Sequence, residues 1–195
     1  MWFKDSQENN NPQEDEKTPL RLILDYVELI LVALAIVIPI RYFIVQPFSV
    51  RGMSMEPNFY EKEYLVVDEI SYRFREPQRG EVVVVRHPKE TGTYLLKRII
   101  GLPKETVKLQ GTKVLISADK DGEVVLDESQ YIRDKFIIDN NQPLNLNNDE
   151  FFVMGDNRDN SLDSRSFGPV NRNYIIGRVW IRAWPFEKFT VMKGR

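Results

Sequence analysis

Ser54 lies in the stretch Arg51-Gly52-Met53-Ser54-Met55-Glu56-Pro57, one hydroxyl among two methionines, a glycine and a proline. Glycine allows a left-handed turn or a close backbone approach at position 52. Proline fixes φ and withdraws an amide donor at 57, so a regular strand does not continue through it. A serine so constrained, with apolar flanks, has the makings of a nucleophile if another residue takes its proton. The same serine could equally close a turn or cap a helix. The histidine that could serve it is His87, the only one in the chain, followed directly by Pro88. A Ser-His-Asp triad would have to use it, but its setting reads as a loop at the end of a strand. There is no cysteine, hence no disulfide, thiolate metal site or cysteine nucleophile. The H-E-x-x-H and G-x-S-x-G patterns are absent, which leaves zincin and α/β-hydrolase chemistry without support.

Lys97 is the other candidate for the proton. If Tyr94–Gly101 is a strand, period two puts Lys97 on one face with Leu95 and Ile99, and Arg98 on the other with Leu96 and Ile100. Arginine keeps its proton in proteins, so Arg98 serves only as a structural cation. Desolvation disfavours an ammonium, and a lysine neutral near working pH is a competent general base. A lysine whose amine reaches solvent at a sheet edge would do neither. A third segment, Met154-Gly155-Asp156-Asn157-Arg158-Asp159-Asn160-Ser161-Leu162-Asp163-Ser164-Arg165, is dense in side chains that bond to backbone and to one another. An EF-hand is excluded because Arg158 and Ser161 stand where a calcium loop needs an oxygen ligand and a glycine. A polar brace fits better, with Asp163 and Arg165 as its ion pair.

These residues need a scaffold. Residues 1–19 are polar, with almost nothing to bury, and read as a disordered tail. Leu29–Ile40 is apolar without a break. It reaches the length of a membrane span, over 20–46, if Glu28 and Arg41 sit near the two interfaces. No small-residue cleavage site follows it, so an uncleaved anchor is expected rather than a removable signal peptide. Charge does not orient it, because Lys4, Lys17 and Arg21 are accompanied by several acids. From 47 to 195 the pattern turns to β. Strands are expected at 64–67, 81–85, 94–100, 105–109, 113–117, 123–126, 151–154 and 174–183, with glycine-containing turns between several of them. The polar, Asn-rich stretch 127–149 is expected as a loop excursion. Short spacing argues for a mainly β chain, an antiparallel β domain preceded by one transmembrane helix. With 27 basic and 29 acidic residues the formal charge is −2, so no basic surface for nucleic acid is implied.

Taken in order, Gly52–Pro57, Arg79-Gly80-Glu81-Val82-Val83-Val84, Lys97-Arg98-Ile99-Ile100-Gly101-Leu102-Pro103 and Gly155–Arg165 resemble the sequence boxes of bacterial-type type I signal peptidases. The resemblance runs from the anchor to about Trp180. It implies a membrane-anchored Ser/Lys endopeptidase that removes signal peptides from exported preproteins, with the catalytic domain on the non-cytoplasmic side of a single span. It implies Ser54 as nucleophile, Lys97 as general base, Ser161 as a serine near the lysine, and Asp163 with Arg165 as the bracing pair. It also implies a small variable β lobe, here 104–149, and neither cofactor nor metal. Some members carry a serine two residues before the nucleophile that helps bind the oxyanion. Gly52 stands there in this chain, so the oxyanion is expected to rest on backbone amides, that of Ser54 among them. Partners implied are preproteins with small residues at −1 and −3, and the lipid bilayer. Two other classes fit parts of the pattern. A self-cleaving Ser/Lys regulator would need a DNA-binding module, and a tethered peptide-binding β domain would need neither Ser54 nor Lys97.

Overall fold

The computed structural model describes residues 19–43, 45–118, 122–132 and 142–192, excluding the side chains of 39–46. The polar tail lies outside these residues except for Pro19. The chain divides into two units, residues 1–39 and 40–195. Helix α1 spans Pro19–Phe43. Proline suits the first helical position, where its missing amide would have had no partner, and leucine and alanine favour the helix beyond it. Its large apolar side chains from Leu20 to Ile38 are exposed. Among the described residues no helix is long and apolar enough to cross a membrane. Residues 19–38, where α1 side chains are described, include Arg21, Asp25 and Glu28. The stretch expected as an anchor, 20–46, also overruns the helix, because Val45 already belongs to a strand.

The unit from Ile40 onward is mainly antiparallel β. Its strands are β1 (Val45–Ser49), β2 (Tyr64–Asp68), β3 (Val82–Arg86), β4 (Tyr94–Gly101), β5 (Glu105–Gln110), β6 (Lys113–Ala118), β7 (Glu123–Val125), β8 (Leu144–Asn145), β9 (Glu150–Met154), β10 (Val170–Asn171), β11 (Ile175–Trp184) and β12 (Thr190–Val191). A four-residue helix, α2 (Ser164–Phe167), precedes β10. The larger sheet has the order β1-β2-β11-β3-β4-β9-β10, with β12 added to β11. The smaller has the order β7-β6-β5-β8 and falls within the span expected as a separate lobe. Within the stretch read as one loop, 127–149, the short strand β8 pairs with β5.

The valine run of β3 is central, between β11 and β4, and Val83–Val85 are all buried. A continuous apolar strand belongs in such a place. On one face of this region Val83, Val85, Ile99, Phe151 and Val153 form a core. On the other, Ile100, Phe152 and Met154 pack with Val107, Leu109, Val114 and Ile116 of the smaller sheet. The two sheets therefore share a core. A third cluster, Val50, Met55, Phe59, Leu65 and Val179, lies under the turn that carries Ser54.

Candidate active site

Ser54 is placed by a compact series of turns between β1 and β2. Gly52 has φ +77°, the left-handed conformation that favours glycine. The amide of Glu56 donates to Met53 O, and those of Asn58 and Phe59 to Met55 O. Met55 and Phe59 anchor the turn from below. From the opposite side the Asn157 amide donates to Ser54 O at 3.0 Å, and Asn157 Nδ2 donates to Met53 O at 3.1 Å. Gly155 makes this approach possible, since a Cβ there would overlap both Ser54 O and Ser161 Oγ.

Lys97 comes from the middle of β4, where it pairs with Val83. It is 1% exposed, one of the largest fully buried side chains among the described residues. Its Nζ lies 2.8 Å from Ser54 Oγ, a hydrogen-bond distance across forty-three positions of chain. Burial pushes the ammonium down to about 8. The Asp163 carboxylate opposes that shift, the Arg165 guanidinium adds to it, and Asp156 again opposes it. With a value near 8, roughly a tenth of the amine is neutral at pH 7 and half one unit higher.

Asp163 is wholly buried and caps α2 by accepting from the Arg165 amide. It also accepts from Arg165 Nε at 2.8 Å, from Arg165 Nη2 at 2.8 Å and from the Gly155 amide at 3.0 Å. Burial alone would raise its carboxyl, but hydrogen bonds and charge from Arg165, with the Gly155 amide, hold it below its ordinary value. The aspartate thus ties α2 to the residue that follows β9. Ser161 Oγ is buried against Gly155. Ser54, Lys97, Ser161, Asp163 and Arg165 therefore converge on one place.

His87 belongs elsewhere. Its Nδ1 accepts from the amides of Lys89 and Glu90, and its ring packs edge-on to Phe167. It organises the β3–β4 connection, as a loop residue at a strand end would.

A second layer was not foreseen from the sequence. Arg98, from the opposite face of β4, makes a bidentate pair with the buried Asp156 at 2.7 and 2.6 Å. Asn58 Nδ2 donates to the same carboxylate at 2.8 Å and to Tyr131 O at 2.7 Å. Arg158 is buried against Glu128 and donates to Gly155 O. These links lock the Gly155–Arg158 segment against the nucleophile's turn. Arg98 pairs with Met154 across β4 and β9, a register the sequence does not reveal, and this sets it close to Asp156.

A cleft of about 490 Å³ opens from Ser54. Val50, Leu65, Val84 and Leu96 contribute apolar walls. One side is β1, whose only partner among the described residues is β2. The other is the first half of β4, where Tyr94–Lys97 pair with β3 but β9 pairs only from Arg98 onward. Two strand edges thus face an apolar groove that ends at a serine hydroxyl and a buried amine. Such edges offer backbone donors and acceptors to an extended peptide.

Comparison with known proteins gives the same direction. Signal peptidase I P of Bacillus subtilis subsp. natto is 31% identical over 90% of this chain and 96% of its own length. A probable signal peptidase I-2 of Synechocystis is 33% identical over 90% of this chain and 80% of its own. A crystal structure of a signal peptidase I from Enterococcus faecalis is 28% identical, covering 54% of this chain and 97% of that one, with a TM-score of 0.41. The family model described as signal peptidase, peptidase S26, matches residues 23–184, a span that holds the whole serine–lysine site. The chain belongs to this family of serine endopeptidases, the signal peptidases.

Proposed function

We propose that this protein is a membrane-anchored endopeptidase that removes signal peptides from preproteins, with Ser54 as nucleophile and Lys97 as general base. The observation that carries the reading is the 2.8 Å approach of Lys97 Nζ to Ser54 Oγ, made by a lysine whose burial lowers its affinity for a proton. Neutral Lys97 takes the hydroxyl proton as Ser54 Oγ attacks the scissile carbonyl. The Ser54 amide has no acceptor among the described residues, and it is the donor we assign to the oxyanion. A well-placed donor of this kind is worth roughly 3–4 kcal/mol in other enzymes. The ammonium of Lys97 then protonates the leaving amine, and water releases the acyl group. Ser161, Asp163 and Arg165 hold the lysine's surroundings, with the aspartate raising and the arginine lowering its affinity for the proton.

An extended preprotein in the cleft would point alternate side chains into the wall. Residues −1 and −3 would meet the surface beside Ser54, where small side chains fit. The anchor reading rests on two features of α1. Its 25 residues rise about 37 Å at 1.5 Å each, and its large apolar side chains from Leu20 to Ile38 are exposed. The unbroken apolar run of the sequence continues to Ile40. The cleavage unit would then stand on the exported side of a single span.

The test is cleavage of a labelled preprotein by the purified full chain in detergent. Ser54→Ala and Lys97→Met should each abolish it, and the double variant should be no worse, because the pair acts as a unit. Lys97→Arg should be equally inactive although it keeps the charge. Appreciable turnover by Lys97→Arg would remove Lys97 as the base. Carbonate washing that releases the full chain from membranes would remove the anchor.

A further inference from the structure

Behind the turn that carries Ser54 stands an arginine that the chemistry above does not use. Arg182 comes from β11, where it pairs with Leu65 of β2 on one side and Thr190 of β12 on the other. Its Nη2 donates to Asn58 O, its guanidinium lies over the Phe59 ring at 4.7 Å from the centroid, and its Nε is 3.2 Å from Glu63 Oε2. Glu63 is buried, and its other carboxylate oxygen is 3.4 Å from Lys188 Nζ. One side chain of the larger sheet thus grips Asn58, Phe59 and Glu63, three residues of the stretch between the nucleophile and β2.

These contacts bear on Ser54 through a closed circuit. The Asn58 amide donates to Met55 O at 3.0 Å, Asn58 Nδ2 donates to Asp156 at 2.8 Å, and the Asn157 amide donates to Ser54 O at 3.0 Å. Met55 follows Ser54 and Asn157 follows Asp156. The circuit therefore runs from the serine to Asn58, across to Asp156, and back to the serine. Arg182 lies outside it and fastens its Asn58 corner to β11. The other end of the grip reaches the start of the turn. The Val50 amide donates to Glu63 O at 2.9 Å, and the Lys62 amide to Val50 O at 3.0 Å. Guanidinium donors diverge at fixed angles, so one rigid group sets the span from Asn58 to Glu63. An ammonium is a point charge on a flexible stem and cannot set it.

We propose that Arg182 is a positioning residue for the cleavage: by fixing the entry and exit of the turn, it sets the approach of Ser54 Oγ to Lys97 Nζ. The inference rests on the endopeptidase reading of those two residues and deepens it. A misplacement of about 1 Å at a reacting atom costs rate on the order of a hundredfold. Arg182 is not among the residues that line the cleft, so substrate binding does not depend on it directly. The proton affinity of Lys97 is governed by its burial and by Asp163, Arg165 and Asp156. Changing Arg182 therefore alters the geometry of attack and leaves the protonation of the base as it was.

The experiment measures cleavage of a labelled preprotein by the full chain in detergent, for the parent, Arg182→Lys and Arg182→Ala. Both variants should lose about tenfold or more in kcat, with KM within about twofold of the parent. Their rates should rise with pH through the same midpoint as the parent's. Arg182 lines a cavity of about 280 Å³ with Asn58 and Phe59, large enough for a small planar cation. Guanidinium at a sub-denaturing concentration should therefore raise kcat of Arg182→Ala about fivefold or more, and methylammonium should not. A variant that had only lost stability would be harmed by guanidinium, so rescue cannot come from that source. Arg182→Lys keeps a cation beside Glu63 and tests the same point if Arg182→Ala does not fold. A kcat within about twofold of the parent in Arg182→Lys and in any folded Arg182→Ala overturns the proposal while the endopeptidase reading stands. So does a loss of kcat without rescue in which the midpoint moves up towards that of a solvated lysine, the mark of a loosened fold. If the parent itself cuts no preprotein, the reading of Ser54 and Lys97 falls and takes the proposal with it.

Discussion

Lys97 is the residue on which chemistry and stability pull in opposite directions. In the unfolded chain its amine has the ordinary value of 10.5, and in the folded protein burial lowers that to about 8. Between these values the unfolded chain binds more protons than the native one, so stability rises with pH from about 8 to 10.5. Below that window the full penalty is present, on the order of 3 kcal/mol at about 1.36 kcal/mol per unit. Methionine has a similar length and no ionisable group. Lys97→Met should therefore be inactive yet more stable than the parent at pH 7, with the difference shrinking as pH climbs through the window. Denaturant unfolding of both proteins at several pH values reads this directly. The cleavage rate of the parent should rise with pH and level off above about 8, as the neutral amine accumulates. A stability difference independent of pH would mean that Lys97 is solvated and charged, and the base would have to be sought elsewhere.

At the scale of elements, the site is a meeting of three pieces: the turn after β1, the middle of β4, and the segment between β9 and α2. Period two on β4 was legible, because a lysine and an arginine between leucines and isoleucines must face opposite ways. The ion pair of Asp163 with Arg165 was legible too, being only two residues apart. What the sequence hid was contact between distant segments. Asn58 looks like an ordinary turn residue until its amide is found between Asp156 and Tyr131 O. Val45–Ser49 reads as the flank of an apolar helix, and only its pairing with β2 makes it a strand. The stretch after 127 is weakly patterned, yet it delivers Glu128 to the buried Arg158. Gly155 is where these pieces touch most closely. Gly155→Ala should push the Ser54 turn and Ser161 apart, because the added methyl meets backbone on one side. We expect a loss of at least a hundredfold in kcat with a fall in stability of about 1–3 kcal/mol, the usual range for overpacking. Unchanged kcat in Gly155→Ala would show that the segment can yield without disturbing Ser54.

Across the whole molecule, the smaller sheet is the part most easily taken for an appendage, since the catalytic residues all lie outside it. Packing argues otherwise. Ile100 and Met154 follow Lys97 and precede Gly155 in the chain, and both are buried against Val107, Leu109, Val114 and Ile116. A lobe whose core includes the strands that carry the site cannot unfold alone without exposing them. The expectation is one cooperative transition for both sheets. Ile116→Ala, a change in the smaller sheet, should lower stability by about 2–5 kcal/mol, as such truncations do in well-packed cores. Trp180 and Trp184 both lie on β11 of the larger sheet, so their fluorescence reports on that sheet from a distance. In Ile116→Ala the fluorescence midpoint in denaturant should move down together with the loss of far-ultraviolet circular dichroism. An early transition seen only by circular dichroism, with the tryptophan midpoint unmoved, would make the smaller sheet an independent unit. The shared core would then contribute nothing to holding Lys97 and Gly155 in place.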